Sequence, residues 1–192
     1  MNQQILATCN QTVRMLEDFC QEQGDSLARM AKCLAGIFAE GGQLLVAGNG
    51  CLHPAAQLMA SQFSFRLSFD RPTLPALCLG SDLVLNSRMI GDGQAEQLFV
   101  RHYRAVNSEK HLLLLINDGS ESVALKMLRD EVLENGQSVV LISYDCRKDP
   151  LLNRDMDICL NLASRSVPRQ LELTQFIGHL LCELVETELF GQ

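Results

Sequence analysis

The chain has 192 residues, 47% of them hydrophobic and 20% charged, with 23 acidic against 16 basic side chains and a formal net charge of −7. That length suits one globular domain with a sizeable core, and an acidic chain whose Arg and Lys are scattered lacks the basic footprint that direct nucleic-acid binding needs. The longest purely apolar run, residues 112–116, is far too short to span a membrane.

The opening Met1-Asn2-Gln3-Gln4 has no basic segment followed by an apolar core, so no secretory leader is expected and the expected location is cytoplasmic. Residues 4–20 place Ile5, Val13, Met15, Leu16 and Phe19 at loosely helical spacing. Gly24-Asp25-Ser26 then predicts an interruption, with Asp25 or Ser26 capping a second helix that carries Leu27, Met30, Ala31, Leu34, Ile37 and Phe38. Gly41-Gly42 ends it. Residues 43–47 read as a buried strand that runs into Gly48-Asn49-Gly50-Cys51-Leu52-His53-Pro54, and a helix is expected from Pro54 to residue 66.

Residues 74–79 predict a second strand whose start is weakened by Pro72 and Pro75. Helices are expected over 81–90 and 94–106, separated by Gly91-Asp92-Gly93. Residues 111–116 read as a third strand, 121–135 as a helix with Gly136 beyond its end, and 138–143 as a fourth strand. A polar loop, 145–154, leads to a fifth strand over 156–160, and a closing helix is expected over 167–189. Strands separated by helices predict an α/β fold: a parallel five-stranded sheet with helices on both faces, behind two N-terminal helices. No linker divides the chain, so 1–192 reads as one domain, with 1–40 as a helical oligomerisation segment.

The eight cysteines, at 9, 20, 33, 51, 78, 146, 159 and 182, contain no Cys-x-x-Cys pair, which disfavours a zinc ribbon or a redox motif. Most stand among aliphatic residues and are expected to be reduced, buried core groups. Cys51, near a helix start, is the exception.

The turn after the first strand is the expected ligand loop, because ligands of parallel α/β folds bind at the carboxyl edge, where helix N-termini favour anions. Gly48-Asn49-Gly50, Arg71-Pro72-Thr73-Leu74-Pro75-Ala76, Arg169 with Glu172, and the ending from Leu181 to Phe190 together resemble the sugar isomerase (SIS) family. The resemblance covers almost the whole chain and is to its phosphoheptose isomerases and to their relative, the DnaA initiator-associating protein DiaA. It implies a homotetramer with N-terminal and final helices in a central bundle and with sites at subunit junctions. It also implies a ligand loop built from Gly48, Asn49, Gly50, Cys51 and His53, joined by Asn117, Ser120 and Ser122 from the loop after the third strand.

Departures from the family pattern carry the functional expectation. The family's Ser-Thr-Ser-Gly-Asn-Ser phosphate loop reads Asn117-Asp118-Gly119-Ser120-Glu121-Ser122 here, and Leu52 replaces a serine. Two unit charges about 6 Å apart at an effective dielectric near 20 repel by roughly 2.8 kcal/mol, so an inward Asp118 or Glu121 would oppose a phosphate; facing solvent, both would simply help to start the next helix. Aldose–ketose isomerisation needs a base and an acid. The resemblance puts Gln62 at the glutamate base position and His179 at the histidine position, while Leu58 and Leu171 occupy two positions that hold zinc in some members. Neither leucine can coordinate a metal, so no cofactor is expected.

His179 also falls on a polar stripe with Glu172, Gln175, Glu183 and Glu186, which explains it without catalysis. His53 is a second acid–base candidate, or a loop residue packing on the helix start. His102 and His111 have no evident partners. Three classes follow: a non-catalytic DiaA-like adaptor, a sedoheptulose-7-phosphate isomerase of lipopolysaccharide heptose synthesis, and a non-catalytic sugar-phosphate sensor. The adaptor class is favoured. The resemblance assigns Leu189-Phe190 to its partner-binding surface, with the replication initiator DnaA as a possible partner; direct nucleic-acid and membrane binding are not expected.

Overall fold

A computed structural model describes residues 1–106, 108–156 and 158–191. Five strands form one parallel sheet: β1 (Gln43–Gly48), β2 (Ala76–Cys78), β3 (His111–Asn117), β4 (Ser138–Ser143) and β5 (Ile158–Asn161), in the order β2-β1-β3-β4-β5. The helices are α1 (Asn2–Ala39), α2 (His53–Ser64), α3 (Leu83–Gly91), α4 (Leu98–Val106), α5 (Val123–Glu134) and α6 (Val167–Phe190).

Side chains alternate across the strands and feed two cores. Leu44, Val46, Leu112, Leu114 and Ile116 face α1, α2 and α6, whereas Leu45, Ala47, Leu113, Leu115 and Leu141 face α4 and α5. Because all seven residues of β3 are buried, this central strand reads as an unbroken apolar run ended by Asn117.

The N-terminal segment differs from expectation: α1 is one helix, and it runs straight through Gly24-Asp25-Ser26. Glycine costs a helix about 1 kcal/mol relative to alanine, which tertiary contacts override. Phe19 and Leu27 are buried on either side of it, and the Gln23 side chain donates to the Asn161 carbonyl at 2.7 Å and accepts from the Asn161 N–H at 2.6 Å. Ser26, no cap, accepts from Arg29.

Element boundaries shift where caps decide them. Asp82 accepts from Leu85 N–H and starts α3, while a 3-10 turn, Ala95–Gln97, precedes α4. Ser122 starts α5 by accepting from Leu125 N–H, so neither Asp118 nor Glu121 caps it. The edge strands are shorter than read. β2 keeps only Ala76–Cys78 after the prolines, and β5 begins at Ile158; the expected start at residue 156 includes residue 157, which lies outside the described residues.

The cysteine expectation is corrected in two respects. Cys146 and Cys159 form a disulfide, their Cα atoms 6.2 Å apart. Cys146 follows β4 and Cys159 lies on the adjacent parallel strand β5, and a separation of 13 residues concealed the pair. Of the other cysteines, only Cys78 and Cys182 are buried; Cys9, Cys20 and Cys33 are exposed on α1, and Cys51 is exposed in the turn after β1. No described helix is long and apolar enough to cross a membrane.

Candidate functional site

The strand order places β1 and β3 side by side with their following helices leaving in different directions, the crevice where ligands of open α/β sheets bind. β1 ends at Gly48. A Cβ there would lie 2.8 Å from the Leu52 carbonyl and 2.9 Å from the His53 backbone, so only glycine lets the turn fold back onto α2. Gly50 has φ +48, and the single 3-10 turn Gly50–Leu52 delivers the chain to α2, with Pro54 in its first turn.

Asn49 is the hub. Its Nδ2 lies 2.9 Å from Ser120 Oγ, 3.1 Å from Asn117 Oδ1 and 3.5 Å from Asp118 Oδ1, so its donors are spent on the neighbouring loop. The sequence-predicted residues Asn49, Asn117 and Ser120 therefore do come together. Asp118 is turned inward, accepting the Ser120 N–H at 3.0 Å beside Asn49, whereas Glu121 is exposed. Leu52 is buried in the core, and Cys51 is exposed on the turn.

Beneath this loop lies a group that sequence reading missed. Asp149 is buried, and its carboxylate accepts from Asn117 Nδ2 at 3.1 and 3.0 Å, from Leu151 N–H at 2.7 Å and from the Ser143 hydroxyl. Asn117 and Ser143 are register partners at the ends of β3 and β4. Tyr144 supports the loop from the side: a Cβ on Gly119, which has φ +88, would lie 2.9 Å from the tyrosine ring. The only sequence signal for Asp149 was its position in a polar loop at the correct edge of the sheet.

His53 opens α2, half-buried, with Nδ1 4.0 Å from Cys78 Sγ. Burial lowers the His53 imidazole from its ordinary value, partly offset by a hydrogen bond to the Gly48 backbone. Burial raises the Cys78 thiol, which argues against a thiolate nucleophile there. His102 and His111 both have partners: His102 Nδ1 accepts from Gly80 N–H, and His111 Nδ1 donates to the Ser108 carbonyl.

Gln62 lies on α2 where that helix crosses α6, with Met59 against Gly178. It is 9% exposed, and its Oε1 is buried without a hydrogen-bond partner among the described residues. Its backbone carbonyl accepts from Arg71, whose guanidinium is joined to Glu186 on α6 and also reaches the Phe63 carbonyl. Burial and the neighbouring Glu186 carboxylate push the Cys182 thiol up to about 12.

The expected polar stripe on α6 breaks at this point. His179, Glu172 and Glu183 are exposed, but Glu186 is buried by its arginine. Within one chain His179 therefore faces outward, and no described hydrogen bond joins it to Gln62. Leu58 is 48% exposed and Leu171 packs on the core, so the positions that would flank a zinc ion present hydrocarbon. Among the described residues no three His, Cys, Asp or Glu side chains gather as a metal site. Leu189 and Phe190 are half-buried, Phe190 edge-on to Phe69 at 6.1 Å.

The fold matches known proteins. The SIS domain family matches residues 9–142. The chain is 29% identical to a phosphoheptose isomerase of Thermodesulfovibrio yellowstonii over 181 residues, 94% of this chain and 89% of that protein. It is 31% identical to the phosphoheptose isomerase of Burkholderia pseudomallei over 160 residues, 83% and 80% of the two chains. The structure of a phosphoheptose isomerase from Francisella tularensis superposes with a TM-score of 0.86 at 23% identity, covering 96% of this chain and 97% of that one. The chain belongs to the SIS-domain family. Within it, the protein is phosphoheptose-isomerase-like.

Proposed function

We propose that this protein is a non-catalytic SIS-domain regulator or adaptor, of the DiaA type, acting as a cytoplasmic homotetramer without zinc. The observation that carries the reading is Gln62. An amide at the base position takes no proton at neutral pH, and this one is enclosed, with its Oε1 unmet among the described residues. Leu58 and Leu171 leave His179 as a lone potential metal ligand, and Asp118 presents a carboxylate where the family presents hydroxyls. The tetramer is supported by the N-terminal half of α1, segment 1–40 being its oligomerisation arm: Ile5 and Leu6 are 61% and 63% exposed, and a second copy would cover them. Leu189-Phe190 would then belong to a surface for a protein partner, the replication initiator DnaA being one possibility.

A second reading is favoured by the comparisons: relatives aligned over most of the chain are named phosphoheptose isomerase. On that reading His53 or His179 supplies the acid or base, and the substrate is sedoheptulose 7-phosphate. A third keeps a sugar phosphate as a sensed ligand.

One experiment separates the isomerase from the two non-catalytic readings. Sedoheptulose 7-phosphate is incubated with the purified tetrameric protein with and without added zinc. No turnover, by the native chain or by Gln62→Glu, is the expected result. Turnover by the native chain at rates typical of enzymes, about 1 per second or faster, would establish the isomerase reading instead. Light scattering on the same sample should give four chains.

A further inference from the structure

The segment between β4 and β5 touches the ligand loop twice and is pinned once. Tyr144 packs its ring on Gly119, and Asp149 holds Asn117 through both carboxylate oxygens. Between these contacts stands Cys146, bonded to Cys159 on β5. The 3-10 turn Cys146–Lys148 leads directly into Asp149, so the disulfide fixes the stretch of chain that positions the carboxylate. Asn117 in turn accepts from Asn49, which completes a covalent and hydrogen-bonded path from the sulfurs to the ligand turn.

Both sulfurs belong to residues lining an open cleft of about 680 Å³, together with Tyr144, Arg147, Lys148 and Glu22. That cleft is the route by which a small dithiol would approach the bond. Each cysteine is only half-buried, unlike Cys78 and Cys182.

We propose that Cys146–Cys159 is a redox-responsive clamp on the ligand loop: the disulfide holds residues 117–122 in order, and its reduction releases them. In the reducing direction a thiolate of a dithiol attacks one sulfur and breaks the Cys146–Cys159 bond. The second thiolate resolves the mixed disulfide, so two electrons and two protons pass to the cysteines and the dithiol leaves as a cyclic disulfide. In the oxidising direction a small disulfide such as glutathione disulfide removes them again. Release acts through two restraints, loss of the fixed path to Asp149 and loosening of Tyr144 against Gly119. The inference concerns order in the loop and stands whether or not the site turns over a sugar phosphate.

The test uses the full chain, oxidised with glutathione disulfide or reduced with dithiothreitol under native conditions. Alkylation after unfolding in denaturant, read by intact mass, should count six thiols before reduction and eight after, matching six cysteines outside the disulfide and one bonded pair. Amide exchange in peptides covering 117–122 should then quicken by at least about fivefold, a local opening that leaves α5 protected, and should return on reoxidation. Cys159→Ser should show the fast pattern without reductant and ignore dithiothreitol. Eight labelled thiols in the oxidised sample, a disulfide that millimolar dithiol leaves intact in the folded protein, or equal exchange in both states would each overturn the proposal. Reversible reduction of the unmodified chain keeps the test decisive even where the serine variant misfolds.

Discussion

Arg71 Nε lies 2.6 Å from Glu186 Oε1 with the two side chains only 1% and 2% exposed, so α2's exit and the last turns of α6 are joined through a buried ion pair. Water cannot screen it. The guanidinium also reaches the carbonyls of Gln62, Phe63 and Pro72, each at 3.0 Å, and the same carboxylate lies 3.4 Å from Leu67 N–H. The pair thus ties Gln62, the position on which the functional reading turns, to the helix that ends in Leu189-Phe190.

Removing one partner leaves the other charged and buried, which costs about 3–5 kcal/mol. Glu186→Gln keeps the shape and loses the charge. It should lower the thermal midpoint by roughly 6–20 °C, at 2–4 °C per kcal/mol for a chain of this size. A change under 2 °C in a calorimetric scan would mean that water reaches the pair.

The two loop acids should behave differently, because only Asp118 turns inward. Asp118→Ser should raise affinity for sedoheptulose 7-phosphate by about tenfold, or ~1.4 kcal/mol, a fraction of the full Coulomb repulsion since the residue is partly exposed. Glu121→Asn should change it less than about twofold. Calorimetric titration at low salt reads both, and equal effects from the two changes would contradict the geometry described for the loop.

Acid should weaken the fold before the carboxylates titrate. Burial lowers the imidazoles of His53, His102 and His111 below their ordinary value of 6.5. The unfolded chain then binds more protons than the folded one in the window below pH 6.5, so stability is full above it and falls as pH drops toward the folded values. His111 is the clearest case, with its Nε2 buried and unpartnered among the described residues. Urea midpoints at pH 7.5 and 5.5 should show the loss. His111→Phe should reduce it, by at most about 1.4 kcal/mol per pH unit for the proton removed. An unchanged pH slope would show that His111 protonates freely in the folded chain.

Much of this architecture was legible in the residues. The apolar runs of β1, β3 and β4 announced a parallel sheet, and the glycine turn after β1 marked the sheet edge where the loops of Asn49 and Asn117 meet. What escaped depends on contacts distant in sequence. Gly24 looked like a helix break because nothing local shows that Gln23 pairs with Asn161. Cys146 and Cys159 looked like isolated thiols because strand adjacency joins them. Glu186 looked solvated, as its spacing matched a polar stripe, until Arg71 arrived from another segment. Asp149 carried no motif. The inward turn of Asp118 follows from Asn49 and the Ser120 N–H, contacts without which the acid read sooner as a solvent-facing residue helping to start α5.

The bond between Asn49 and Asn117 spans 68 residues of chain. It can form only once β1 has found β3, and that pairing must first overcome the entropy of closing a long loop. The crevice between these loops is therefore absent from any partly assembled state in which β1 and β3 are unpaired. A molecule held there has nothing to grip until those strands have paired. Stopped-flow measurements with and without a bound sugar phosphate should accordingly show slower unfolding and an unaltered refolding rate, the signature of contacts missing from the transition state. Occupancy of the crevice would lengthen the lifetime of the finished protein without helping to make it.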